Sequence, residues 1–311
     1  MKPAQQKIAA AGLIVLAAGV AGVLFFQEPA RNEPVYRGKT LTRWLRQLDD
    51  GEALGISSSS LPVPTQAQRE ATKAIQAIGS AAFPLLMEDI HATPAHDSFF
   101  IKFQEHLDSL MARVSNWRLS LWDVTTEDRI RWRAAQGLAA LGPVAKQGLP
   151  ELKRLLYTNH FHSSIKEAAY VLAAVGPEGI EVLTNAVQPQ NEWSGMCAIW
   201  ALGQHSEAGM QAIPFLINAT RSASEGTACG AIQVLGLFHT DAEHVIPALT
   251  NCLASSINPA VRRDAARALG QFGQQAASAV QLLESLTNNP VVRANAVEAL
   301  RKIRPLIRPT R

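Results

Sequence analysis

The chain has 311 residues, 47% of them hydrophobic, with 29 Lys and Arg against 26 Asp and Glu. This length accommodates two domains or one elongated array, and a charged fraction of only 18% argues against a disordered chain. A net charge of +3 argues against nucleic acid as a partner, and three cysteines exclude a disulfide-stapled mini-domain. We therefore expect an ordered, apolar protein that binds no nucleic acid.

The amino terminus carries a long apolar run. Residues 8–26 contain no charged side chain, and as a helix they would extend about 28 Å, close to the roughly 30 Å core of a bilayer. Lys2 and Lys7 precede the run, so residues 1–7 are predicted to be cytoplasmic and the rest of the chain to lie outside the cytoplasm. We predict an uncleaved transmembrane signal anchor; the alternative is a cleaved signal and a secreted protein.

Two short segments separate this run from the main part of the chain. Residues 27–37 contain two prolines and mixed charge, which predicts a linker. Residues 38–68 are predicted to form a capping helix near 40–49, followed by a flexible loop rich in serine and proline. The helix is predicted from four apolar residues at helical spacing, Leu41, Trp44, Leu45 and Leu48.

From 69 to 304 an alanine-rich helical segment recurs about every 32 residues, with one insertion. The segments end at residues 79, 142, 176, 206, 239, 273 and 304. Each is followed by a second apolar segment, with a proline near the start of several: Pro84, Pro150, Pro214 and Pro247. This pattern predicts an all-α solenoid of about seven helix pairs. Residues 305–311 are predicted to be a basic tail.

The repeats resemble HEAT repeats, in particular the short alanine-rich bacterial type. The sequence VRRDAARALGQFG at 261–273 matches that type best, and the resemblance extends over 69–304. It implies an α-α superhelix. The segment from Tyr36 to Leu45 looks like a lead-in of exported bacterial HEAT proteins. With the predicted anchor, this resemblance implies the bacterial inner membrane, with the repeats on the periplasmic side.

An insertion at 91–128 interrupts the period. Apolar residues recur in it at steps of three and four, which predicts a long amphipathic helix. Two interpretations are open. The helix packs onto the first two repeats, or it serves as a lid or a docking element for a partner.

The sequence offers no clear catalytic site. We find no Ser-His-Asp order, phosphate-binding loop or carboxylate pair in it, and we expect no catalytic residue, cofactor or metal site. Cys197 and Cys229 stand one repeat apart. A disulfide between them and two free thiols are both open interpretations.

The first helices are predicted to present an apolar cluster outward in the third to fifth repeats. Most repeats carry a polar residue at these positions, whereas the middle ones carry large apolar side chains. The residues concerned are Tyr170, Trp193, Met196 and Trp200. An exposed apolar cluster typically marks a contact site; the alternative is that the chain itself covers these side chains.

A second candidate surface lies on the second helices, four residues after each proline. Polar side chains occupy this position in most repeats, among them Arg154, Asn218 and Asn251. A row of polar side chains suits a groove that hydrogen-bonds an extended peptide, although it also fits an ordinary solvated face. We therefore predict a membrane-anchored, non-catalytic scaffold for a protein or peptide partner. The alternative is an accessory or lyase-like enzyme that uses the groove.

Overall fold

The computed structural model describes residues 31–49, 64–92, 126–157, 162–188 and 191–304. The chain divides into two compact units, Met1–Pro34 and Val35–Arg311, and the described helices all belong to the second. Within the described ranges, no helix is both long and apolar enough to cross a bilayer. The predicted anchor at 8–26, most of the insertion at 91–128 and the tail at 305–311 lie outside these ranges.

The helices follow one another in pairs, each consisting of a first and a second helix. The first helices are α2 (Gln66–Ile78), α4 (Thr126–Leu141), α6 (His162–Val175), α8 (Glu192–Gln204), α11 (Glu225–Phe238), α13 (Pro259–Gln271) and α15 (Arg293–Ile303). The second helices are α3 (Phe83–Asp89), α5 (Leu149–Leu156), α7 (Pro177–Ala186), α10 (Ile213–Ala219), α12 (Ala242–Ser255) and α14 (Val280–Ser285). Two further helices are α1 (Leu41–Leu48), before the pairs, and α9 (Ser206–Gln211), before α10. In the described part of the chain, the pattern of about seven pairs thus appears as six pairs and a seventh first helix.

A small hairpin precedes α1. Strand β1 (Val35–Tyr36) pairs antiparallel with β2 (Lys39–Thr40). The turn residues Arg37 and Gly38 both have positive φ, 48° and 73°, as a two-residue type I′ turn requires. The linker predicted to run to residue 37 therefore ends before β1, and the fold is not entirely helical.

Helix α1 caps the stack, as its apolar spacing predicts. Its four apolar residues are all buried, and it packs against α2 and α4. The indole Nε1 of Trp44 donates to the Tyr36 carbonyl at 3.1 Å, and the Lys39 ammonium lies 4.2 Å from the centroid of the Trp44 ring. The hairpin is thus fixed to the capping helix by one hydrogen bond and one cation–π contact.

One continuous core runs through the stack. Each first helix packs against the first helix of the next pair. Each second helix also packs against the first helix of the next pair. Leucines at equivalent positions fill the interior: Leu138, Leu172, Leu202, Leu235 and Leu269. Small residues allow the helices to approach closely; a Cβ on Gly270 would lie 2.8 Å from the Cα of Ala299. This is the nearest-neighbour packing of a repeat protein.

The prolines start the second helices in most pairs. Pro84, Pro150 and Pro214 lie in the first two positions of α3, α5 and α10, where a helix lacks intrahelical partners for its amides. The same prediction for Pro247 is wrong, because this residue lies inside α12, which begins at Ala242. In the fifth pair, α12 is one continuous helix. The equivalent segment of the fourth pair is divided into two helices, α9 and α10.

Helix caps join neighbouring pairs. Asn258 accepts hydrogen bonds from two backbone amides at the start of α13, and its side-chain amide donates to Glu225 in the first turn of α11 at 2.7 Å. Ser224 caps α11 in the same way and donates to Glu192 in the first turn of α8. The first-turn glutamate of one pair therefore holds the cap of the next.

Candidate functional site

Three aromatic rings from successive first helices form a cluster. Trp132 of α4, Tyr170 of α6 and Trp200 of α8 have ring centroids 4.9 Å apart for Trp132–Tyr170 and 6.0 Å apart for Tyr170–Trp200. The Lys166 ammonium lies 4.4 Å from the centroid of a Trp200 ring. These contacts leave Trp132 and Trp200 each 8% exposed.

The predicted exposure of Trp200 is therefore wrong. The two preceding first helices also carry aromatic rings, Trp132 and Tyr170, which lie against Trp200, and the Lys166 ammonium lies over the Trp200 ring. Tyr170 is half-buried in the same cluster. Of the four predicted residues, Trp200 in particular does not present its ring to a partner.

A buried ionic group lies beside this cluster. Glu167 is 3% exposed and Arg131 is 2% exposed; Arg131 donates to the Ala92 carbonyl and to the Asp128 carboxylate. Burial raises the pKa of Glu167 to about 7, although the charges of Arg131 and Lys166 act in the opposite direction. Burial also lowers the pKa of Lys166. Desolvation is therefore the dominant electrostatic effect on this side of the stack.

Trp193 and Met196 remain at the surface, as predicted. They lie three residues apart on α8, hence on one face of the helix, and are 45% and 36% exposed. Met196 rests on the start of the next first helix, since a Cβ on Gly226 would lie 2.8 Å from its sulfur. The pair forms an apolar surface at the junction of α8 and α11, which we call the Trp193/Met196 surface.

The three polar residues of the second helices are also exposed. Arg154 donates to Glu151 at 2.6 and 2.8 Å, Asn218 accepts from Arg221 at 2.5 Å, and the carbonyl of Asn251 accepts from a serine one turn later. Each side chain or backbone group thus bonds within its own helix or at its end. Their predicted role in a peptide groove stays a prediction.

A cavity lies beside Tyr170. It has a volume of about 1040 Å³ and is formed by the end of α1, the start of α2, the carboxyl-terminal parts of α4, α6 and α8, and α9. We call it the Tyr170 cleft. The His205 ring, which also lines the cleft, is tilted by 53° against the Tyr170 ring, with the ring centroids 4.5 Å apart. This volume is at the upper end of the roughly 300–1,000 Å³ typical of ligand pockets.

The Tyr170 cleft is almost uncharged. Among the described residues that line it, Glu207 carries the one charged side chain, and it is exposed. Burial lowers the pKa of His205 to about 4, so its imidazole is neutral at physiological pH. Gln136, which also lines the cleft, is only 7% exposed. The lining is therefore nearly uncharged, and it combines apolar side chains with neutral amide, hydroxyl and imidazole groups.

Sequence reasoning missed this cleft. The sequence signal for the cleft is a departure from the repeat pattern. A glycine directly follows α4 and α6, whereas His205 directly follows α8. Gln136 occupies the same repeat position as Tyr170, one pair earlier. Neither departure from the pattern indicates a cavity until the helix ends are placed next to one another.

The cysteines and potential metal ligands offer little chemistry. Cys197, Cys229 and Cys252 are free thiols, and burial raises the pKa of both Cys197 and Cys229 to about 12, which keeps them protonated and poorly nucleophilic. Within the described ranges, no group of three His, Cys, Asp or Glu side chains is placed to hold a metal ion.

The helix pairs define a repeat protein, and the family comparison identifies the repeat. Residues 213–301 match the family model of HEAT repeats. Over residues 213–301 the chain therefore carries HEAT repeats, as its sequence pattern predicts. A stack of this class suits protein interaction, and such scaffolds are typically non-enzymatic. No curated protein sequence matches the chain.

Solved structures similar to the chain include an engineered protein, importin beta and a designed armadillo repeat protein. An engineered protein is 20% identical, with 84% of this chain and 96% of that chain covered and a TM-score of 0.30. Importin beta is 14% identical, with 85% of this chain and 37% of that chain covered and a TM-score of 0.40. A designed armadillo repeat protein is 17% identical, with 85% and 100% covered and a TM-score of 0.28. The repeat assignment rests on the family match and on the helix pairs themselves.

Proposed function

We propose that this protein is a non-catalytic scaffold whose repeats bind a protein or peptide partner on the periplasmic side of a bacterial inner membrane. Stacked HEAT repeats provide a long, rigid surface without requiring any reactive group. The alternative of an accessory or lyase-like enzyme stays a prediction from the sequence.

The Trp193/Met196 surface is the observation that carries this proposal. Exposing large apolar side chains to water is unfavourable, and a partner that covers them would gain the free energy of burying that apolar surface. Tryptophan is also enriched among the residues that contribute most to protein interfaces. The two exposed side chains lie where two pairs meet, so a partner there would contact two repeats at once.

Photocrosslinking tests this surface. We expect a benzophenone side chain placed at Trp193 or Met196 in intact cells to give the same crosslinked product. A benzophenone at Glu243, an exposed residue of α12, serves as the matched control and should give a yield at least several-fold lower. Equal yields at all three positions, or no product at Trp193 and Met196, would contradict the proposal.

The membrane location is supported by the uncharged run at 8–26 and by Lys2 and Lys7 before it. We expect a phosphatase that is active only outside the cytoplasm to be active when fused after residue 40, and to remain in the membrane fraction at alkaline pH. Deletion of 8–26 should abolish both properties. Activity in the soluble periplasmic fraction would favour the cleaved signal, and an inactive fusion would exclude export.

A further inference from the structure

The Trp193/Met196 surface is flanked by two negative charges. Glu192 is the first residue of α8 and Glu225 the first residue of α11, and both are exposed. Each carboxylate accepts a hydrogen bond from the neutral side chain that caps the following first helix. Within the described ranges, neither glutamate forms an ion pair. A partner that covers the apolar side chains therefore gains most if it also brings positive charge.

The charge of the repeats changes sign along the chain. The ranges 162–188 and 191–257 together carry eight acidic and two basic side chains, whereas 258–304 carries three acidic and seven basic ones. One of the two basic groups, Lys166, lies over the Trp200 ring. The positive charge that the Trp193/Met196 surface calls for is thus present on the carboxyl-terminal repeats of the same chain.

The last described first helix, α15, carries an exposed apolar residue between two arginines. Val297 is exposed, and Arg293 and Arg301 lie four residues before and after it in α15, hence on the same side of the helix. Both arginines are exposed, and in the described part of the chain neither forms an ion pair or a side-chain hydrogen bond. We call these three residues the α15 face.

The repeat pattern explains why the α15 face is open. Gly270 of α13 is buried because α15 packs on it, so closely that a Cβ there would lie 2.8 Å from the Cα of Ala299. Arg301 occupies the same position one repeat later, and it is exposed. Among the described helices none covers this side of α15, so Val297 is accessible to another molecule.

The two surfaces match in charge and in spacing. Arg293 and Arg301 are eight residues apart, which corresponds to about 12 Å along a helix. Glu192 and Glu225 begin neighbouring first helices that pack on each other, and the axes of packed helices lie about 8–10 Å apart. Each surface therefore places apolar side chains between two like charges at a similar separation, and the charges of the two surfaces are opposite.

We propose that the Trp193/Met196 surface of one copy binds the α15 face of a second copy, with the two glutamates opposite the two arginines. This inference rests on the proposed function, because it names the partner of that surface as another copy of this chain. Since the two surfaces differ, the contact is head to tail, and it leaves one surface of each kind free at the ends of the dimer for further copies. The few apolar side chains involved make the contact a weak one.

Sedimentation equilibrium of the purified full chain in a mild nonionic detergent measures this association. We expect the average protein mass to rise with protein concentration, and the association to weaken at least tenfold when NaCl is raised from about 50 to about 500 mM. A chain that stays monomeric up to about 0.5 mM, or an association that salt leaves unchanged, would overturn the proposal.

Charge reversal on each surface locates the contact. Glu192→Lys/Glu225→Lys and Arg293→Glu/Arg301→Glu each place like charges opposite one another, so we expect each variant alone to associate at least tenfold more weakly than wild type. An equimolar mixture of the two should associate like wild type, because every surface then meets one of opposite charge. Residues 1–30 are identical in all these proteins, so a contact there cannot produce this dependence.

Two further variants control for net charge and for folding. Glu207→Lys/Glu243→Lys, at exposed positions of α9 and α12, changes the net charge as much as the first reversal does and should leave association unchanged. Glu192→Gln/Glu225→Gln keeps the acceptors of both cap hydrogen bonds, so it should retain the wild-type urea midpoint and still weaken association several-fold. Wild-type association in this variant, an equal loss in the control, or a mixture of folded reversal variants that stays apart would each refute the contact.

The outcome is separable from that of the proposed scaffold function. If the purified chain stays monomeric while the crosslink at Met196 in intact cells joins a different protein, the self-contact fails and the scaffold function stands. If the purified chain shows the charge-dependent association while a benzophenone at Trp193 or Met196 gives no product in cells, the proposed function fails and the self-contact stands.

Discussion

Replacing Gly179 by alanine is expected to destabilise the protein by about 3 kcal/mol or more. Gly179 is the third residue of α7, and a Cβ at this position would lie 2.0 Å from the carbonyl oxygen of Leu172 in α6 and 2.9 Å from its carbonyl carbon. Both atoms belong to the backbone, so no side-chain rotation relieves the overlap. The two helices of the third pair would have to separate, and the core around Leu172 would lose contacts.

Urea unfolding of the full chain, followed by circular dichroism, measures this effect as a lower midpoint. Gly230→Ala is the matched control, since a Cβ there would meet only the Ile199 methyl carbon at 3.3 Å. Alanine also favours helix over glycine by up to about 1 kcal/mol, so we expect the control to change stability by no more than about 1 kcal/mol. Equal losses in the two variants would show that helix α7 does not approach Leu172 as closely as described.

The repeat architecture could be predicted from the sequence because packing imposes it on every pair. Leu202, Leu235 and Leu269 recur at nearly constant spacing and are each at most 1% exposed. Each first helix packs against the first helix of the next pair, so a periodic sequence directly encodes a periodic structure. The family match over 213–301 falls in the most regular part of this series.

The candidate sites could be predicted only in part, because they depend on what neighbouring repeats place beside a residue. Trp200 and Met196 lie on the same first helix and look alike as surface residues in the repeat pattern. Trp200 is covered by Trp132 and Tyr170 of earlier pairs, whereas Met196 faces a glycine of the next pair. Exposure at one position thus depends on the side-chain volumes one or two repeats away.

The hairpin at 35–40 and the Tyr170 cleft could not be predicted from the sequence, for a different reason. The hairpin at 35–40 depends on two residues with positive φ, one of which is an arginine, and a lone glycine in a mixed sequence is a weak turn signal. The cleft depends on three helix ends meeting beside Tyr170. Neither feature has a period, so the repeat pattern contains no information about them.

The buried carboxyl of Glu167 makes a second strong prediction, concerning pH. In the described part of the chain, Glu167 Oε2 has no hydrogen-bond partner, and the pKa of this residue rises from 4.5 to about 7 because burial outweighs the nearby positive charges. The folded state therefore holds a proton between pH 4.5 and 7 that the unfolded state releases. Stability from this group is present in full below pH 4.5 and is lost as the pH rises through 7.

Glu167→Gln is expected to remove this loss. The amide cannot ionise, so the free energy of unfolding of the variant relative to wild type should increase by about 3 kcal/mol between pH 4.5 and pH 8. Urea unfolding of both proteins at pH 4.5, 6 and 8 measures the difference, and it cancels the titration of all other groups, including that of His205. An unchanged difference across this range would contradict the raised pKa.

Glu178→Gln provides the control of opposite sign. Hydrogen bonds from Lys146 and from the backbone hold the pKa of Glu178 below its ordinary value, and the side chain is about half exposed, so its ionised form stabilises the fold slightly at neutral pH. We expect this variant to lose a little stability relative to wild type as the pH rises from 4 to 6, whereas Glu167→Gln gains. Opposite slopes for the same chemical substitution would show that burial determines the effect at Glu167, since the two carboxyl groups differ in burial and not in chemistry.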